Sequence, residues 1–154
     1  MNQFEELEDY ASQNNVDVIP HKFSSNRIKG LYINNTIAIN TSIDTIAEKA
    51  CILAEEIGHH ETTIGNIIEQ QTVSDIKQER HARIWASNRM IGLSGLIDAF
   101  QNGCRNLFEM AEYLNITEEF LNESLKYYRE KYGTGIKYKD YYIRFEPNLM
   151  IYRL

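Results

Sequence analysis

The apolar residues Ile43, Ile46, Ala47, Ala50, Leu53, Ala54 and Ile57 recur at helical spacing, and the run ends in "LAEEIGHHET", Leu53 to Thr62. A stripe of this period commits the segment to a helix with one buried face. Thr41, with Asp44 three residues on, resembles a capping box that starts it, so Glu55, Glu56, His59 and His60 fall on its last turns. Ahead of it, "VDVIPHKF", "RIKGLYINN" and "TIAIN" carry β-branched and aromatic residues broken by Pro20, Gly30 and Asn34-Asn35. That is the punctuation of short strands and a tight turn. "FEELEDYASQ", Phe4 to Gln13, reads as a short amphipathic helix before the strands. After a polar connection, "ETTIGNIIEQQTVS", a second helix is expected from about Ser74 to Met90. Further helical segments run through "LIDAFQ", "LFEMAEYLN" and "TEEFLNESLKYYREKYG", and "IKYKDYYIRFEPNLMIYRL" closes the chain as two aromatic-rich strands joined near Pro147. The expected class is α+β: a small N-terminal sheet packed on a helix pair, then a helical region and a C-terminal β-hairpin. Residues 1–93 would form the core and residues 94–154 a helical region with the terminal hairpin, packed as one unit.

Composition narrows the function. A net charge of −6 argues against gripping phosphate backbones, a task that draws on Lys and Arg. No apolar run follows "MNQFEELEDY", and no stretch of about 18 apolar residues occurs, so neither a signal peptide nor a membrane span is expected and the cytoplasm is the expected compartment. Cys51 and Cys104 lack metal-ligand spacing and read as packing residues.

Glu55 and His59 stand four apart, so on a helix their side chains converge on one face, with Glu56 at its edge. In the HExxH zinc helix two histidines at this spacing hold the metal, and the Glu between them is the general base. Here Glu55 takes the place of the first histidine. The other register, Glu56 with His60, leaves Ile57 where the base belongs and does not suit catalysis. A third ligand is required. Glu61, Glu69, Asp75 and Glu79 are available, and Glu79 is preferred because Ala82 and Ala86 make a narrow face by which one helix backbone can approach another. His81 points away, roughly 200° around the helix from Glu79. Other residues have plainer readings: His60 as a cap of the helix end or a contact of the connection, His21 at the surface, Gly30 in a bulge or turn, and Ile84 and Trp85 in the core.

"EKACILAEEIGHH", followed by "ERHARIWA", preceded by "RIKGLYINNTIAIN" and ended by "YYIRFEP", resembles the ImmA/IrrE metallopeptidases, especially the short forms of prophages and other mobile elements. The resemblance covers most of the chain. It implies a metallopeptidase active-site helix pair in which His59 and Glu79 are metal ligands, Glu55 falls on the first ligand position and Glu56 is the catalytic base. It also implies a divalent metal, zinc first, and a helix-turn-helix repressor as substrate or partner. Glu55 in place of histidine removes one positive charge from the loaded site and moves it from nitrogen toward oxygen ligation, a shift relatively favourable to manganese or ferrous iron. Bound water is then acidified less than at a typical catalytic zinc. Many members end the second helix with Met-Pro, whereas this chain has Met90-Ile91-Gly92.

Two rival readings remain at this level. One is a non-catalytic antirepressor that binds the repressor through a degenerate metal site. The other comes from "LFEMAEYLNITEEFLNESLKYY", a short helix, a break at Asn115-Ile116 and a longer helix from near Thr117, the outline of a helix-turn-helix. Glu118 and Glu119 head the second helix, where they suit the helix dipole and repel DNA, so no direct nucleic-acid binding is expected. An extended substrate is expected to pair with the edge of the small sheet, with the "TIAIN" strand as the edge.

Overall fold

Asn40 closes the strand pattern, and the structure turns from sheet to helix just beyond it. The computed structural model describes the backbone of residues 1–69 and 75–154, and the side chains outside residues 64–75. The chain divides into two units, Met1–Arg89 and Met90–Leu154.

The first unit opens with α1 (Gln3–Gln13), whose start is sealed by a reciprocal capping box between Asn2 and Glu5 and whose inner face buries Leu7 and Ala11. Three strands follow: β1 (Asp17–His21), β2 (Gly30–Ile33) and β3 (Thr36–Asn40). Asn34 and Asn35 take φ of 50° and 59°, the left-handed pair that a tight β2–β3 turn requires and that asparagine tolerates best after glycine. β1 then lies parallel to β3 on its other side, giving the order β1-β3-β2. The "TIAIN" strand is therefore the centre of the sheet and not an edge, as its buried Ile37, Ile39 and Asn40 require. The free edges belong to β1 and β2. Asn40, 1% exposed, donates to the Ile28 carbonyl at 2.7 Å and accepts from the Ser42 N–H at 3.0 Å, which anchors the loop before β2 to the chain entering α2.

α2 (Ile46–Glu69) starts later and ends later than its apolar stripe implies. Its cap is Thr45, whose hydroxyl accepts from the Glu48 N–H at 3.2 Å, while Ile43 is buried in the preceding loop. Much of the expected polar connection is helix. Thr62 lends its hydroxyl to the Gly58 and His59 carbonyls at 2.9 and 3.2 Å, so a threonine there is compatible with continued helix. His59 and His60 thus stand in mid-helix. α3 runs Asp75–Met90, and the remainder of the connection, residues 70–74, lies outside the described residues.

The second unit holds α4 (Gly92–Gln101), α5 (Leu107–Leu114), α6 (Glu118–Tyr132), β4 (Gly135–Tyr138), β5 (Tyr141–Arg144) and β6 (Met150–Arg153). Asn106 caps α5, Asn115 ends it in the left-handed conformation, and Thr117 caps α6 by accepting from the Phe120 N–H at 3.0 Å. Leu96, Leu121, Tyr128, Ile143 and Phe145 are almost fully buried, with Tyr132 stacked on Phe145 at 6.0 Å between ring centroids. The Tyr128 hydroxyl accepts from the Gly92 N–H at 3.1 Å. The C-terminal strands number three, antiparallel in the order β4-β5-β6, where two were expected. The extra turn falls at Lys139, φ 53°, a residue type that carries no turn signal. Cys51 is buried and Cys104 half-buried, as packing residues are. Among the described residues no helix is long and apolar enough to cross a membrane.

Candidate metal centre

Gly58 sets the geometry of the helix pair. A Cβ built on it would fall 2.4 Å from the Ala82 carbonyl oxygen, so the α2 and α3 backbones touch here and only glycine fits. Ala82 and Ala86, both buried, supply the matching narrow face on α3. Across this contact His59 Nε2 and Glu79 Oε1 approach to 3.2 Å. A second close approach seats β2 on α2. A Cβ on Gly30 would lie 2.7 Å from Ile52 Cγ2 and 3.2 Å from Glu56 Cγ, so this glycine serves packing against the helix rather than a bulge or turn.

Glu56 sits beneath that strand. Burial pushes its carboxyl up to about 7, with the neighbouring carboxylates of Glu55 and Glu79 adding to the rise. A carboxylate of that basicity can both take and return a proton near neutral pH, as general acid–base work requires.

The structure brings together His59 and Glu79 directly, and places Glu55 and Glu79 near enough to Glu56 to act on its charge. Among the described residues, no group of three or more His, Cys, Asp or Glu side chains is gathered closely enough to hold an ion. Of the other acids considered, Glu61 is committed elsewhere: it accepts from the Tyr10 hydroxyl at 2.6 Å, tying α2 to α1. Burial and this bond push that phenol up to about 12. The side chains of Glu69 and Asp75 lie outside the described residues. His60 does not cap a helix end. It is 5% exposed, and its Nδ1 pairs with the Tyr32 hydroxyl of β2 at 2.7 Å. His81 and His21 are exposed. Trp85 is half-buried, its ring 5.6 Å from that of Tyr10.

In chemistry the donor set suits a divalent ion. It offers an imidazole nitrogen facing a carboxylate oxygen, with two further carboxylates nearby; burial first, and the repulsion of its neighbours second, raise Glu56, and a cation relieves the second. Sequence reasoning missed Gly58, Gly30 and Tyr32 as the residues that shape this junction. For Gly58 a signal existed, since it follows the buried Ile57 in a helix that otherwise carries no glycine before it.

The profile of the M78 peptidases, described as the IrrE N-terminal-like domain, matches residues 11–126. That span reaches from the end of α1 into α6 and contains Glu55, Glu56, His59 and Glu79. No curated protein and no solved structure gives a significant match. The family is one of metallopeptidases, which implies a divalent metal. With well over half of its length matched, and with a helix pair that brings His59 against Glu79 beside a half-buried Glu56, the chain belongs to the IrrE N-terminal-like domain family of M78 peptidases.

Proposed function

We propose that the protein is a metal-dependent endopeptidase in which Glu55, His59 and Glu79 hold a divalent ion and Glu56 is the general base. The observation that carries this reading is the Glu56 carboxyl, half-buried next to the His59–Glu79 pair and basic enough to exchange protons near pH 7. A bound ion, zinc first and manganese or iron favoured by the extra carboxylate, supplies Lewis-acid polarisation of the scissile carbonyl. Glu56 takes a proton from the attacking water and delivers it to the departing amine. β2, a free edge whose Gly30 lies against Glu56, receives an extended substrate by strand addition. The protein cut, on this reading, is a helix-turn-helix repressor of a prophage or mobile element in the cytoplasm, the partner that the sequence resemblance implies; the −6 charge and the acidic start of α6 argue against DNA as a partner.

Co-expression with the candidate repressor tests this. Glu56→Gln should lower cleavage by about 10² to 10⁴ while metal binding and the complex survive. His59→Ala should sharply reduce metal occupancy measured by elemental analysis. A second reading, a non-catalytic antirepressor, is favoured by the lack of a gathered three-donor group among the described residues and by Glu55 at the first ligand position. If Glu56→Gln leaves relief of repression unchanged in cells, binding alone is the mechanism.

A further inference from the structure

Where the end of α4 meets α5, α6 and the loop before β6, the second unit holds an open groove of about 690 Å³. Apolar side chains dominate it: Met110 and Leu125 reach it from buried positions, and Phe100, Leu107, Leu149 and Ile151 are among the others that line it. Among the described residues its charged lining consists of Arg105 and Arg129, with no acid, in a chain of 22 acidic and 16 basic residues. Neither guanidinium stands within ion-pairing distance of a carboxylate among the described residues. Of three lining amides, Asn106, Asn122 and Asn148, two are oriented by bonds to their oxygens. Asn106 uses its Oδ1 to accept from the Glu109 N–H at 2.8 Å, and Asn148 uses its own to accept from Arg144 at 3.0 Å, which leaves both NH₂ groups to donate.

An apolar cleft bordered by donors selects a ligand with apolar bulk and oxygen acceptors. We infer that this groove docks a peptide segment of a partner protein, one that carries apolar side chains beside at least one carboxylate. Arginine suits the carboxylate, and the asparagine NH₂ groups suit backbone carbonyls, which a simple amphiphile lacks. β6, whose Met150 and Ile151 line the groove, is an edge strand with one sheet neighbour, so an extended segment can also pair with its backbone. The charge argument is local: α6 begins with Glu118 and Glu119 and carries Arg129 in its last turn. This site is independent of catalysis and requires no cleavage.

Calorimetric titration of the full chain provides the test, with three probes: a blocked octapeptide alternating leucine and glutamate, the same peptide with lysine for glutamate, and dodecanoate below its micellar concentration. The glutamate peptide should bind about tenfold tighter than the lysine peptide, opposite to the order that a net charge of −6 sets for nonspecific attraction. Arg105→Glu with Arg129→Glu should abolish that preference. Arg105→Glu alone, at an exposed position, should reduce it in a variant expected to fold. No binding of the glutamate peptide, equal or tighter binding of the lysine peptide, or an unchanged preference in both variants overturns the proposal. Tighter binding of dodecanoate than of the glutamate peptide overturns the choice of a peptide.

Discussion

In Met1–Arg89 polar side chains are taken inside and tied across elements: Asn40 to the loop before β2, His60 to Tyr32, Glu61 to Tyr10, and Glu56 beneath Gly30. In Met90–Leu154 Asn106 and Thr117 cap helices and the ties Gln101–Tyr141 and Arg144–Asn148 lie at exposed positions, while the interior is a stack of Tyr128, Tyr132 and Phe145. A core of rings and aliphatics is stabilised by area removed from water and accepts exchanges of similar volume. Buried polar groups depend on individual partners, so the first unit is the more exacting. It keeps them where chemistry is proposed, around Glu56.

Breaking the helix contact should have the largest effect. Gly58→Ala gains about 1 kcal/mol of helix propensity but drives a methyl into the Ala82 backbone, for a net loss of about 3 kcal/mol in denaturant unfolding. Hydrogen exchange should accelerate in α2 and α3 more than in α6. A variant as stable as the parent would show that the two backbones are not in contact.

Next comes the cost of burying Glu56. Its folded value of about 7 lies above the ordinary 4.5, so the folded state holds the proton more tightly than the unfolded chain. That contribution is complete below the unfolded value and is lost as pH rises toward 7. In metal-free protein, the stability of Glu56→Gln relative to the parent should therefore increase by about 3 kcal/mol between pH 4.5 and pH 8. A difference that stays flat with pH would place the carboxyl in water. The comparable change in the second unit is smaller. Tyr128→Phe removes the acceptor of the Gly92 N–H and should cost about 1 kcal/mol with little dependence on pH between 5 and 8.

What could be read from the residues follows the same division. The break at Asn115 and the cap at Thr117 were legible because local backbone chemistry selects those residue types. The narrow face of Ala82 and Ala86 likewise announced a close helix approach, and the structure supplies Gly58 as its counterpart. Helix α2 was misread at both ends for local reasons. Thr41 and Thr45 are equally plausible caps, and "ETTIGN" resembles a connection until Thr62 is seen bonding back to its own helix. The pairing of His60 with Tyr32 leaves no periodic trace, because partners 28 positions apart are joined by the placement of β2 and not by local pattern. The turn at Lys139 was hidden by an ordinary side chain in a left-handed conformation.

The strand order β1-β3-β2 has a consequence for how the chain is made. β2 and β3 close locally over Asn34 and Asn35, a microsecond event, whereas β1 must wait for β3 before it has anything to pair with. During synthesis β1 leaves the ribosome first and stays unpaired longest, an invitation to pair with another nascent chain. Pro20, at its fourth position, interrupts the row of donors, and it is tolerated because β1 has one neighbour in the finished sheet. It acts as a gatekeeper. Pro20→Val should leave the folded protein intact yet shift newly made chains from the soluble fraction into inclusion bodies.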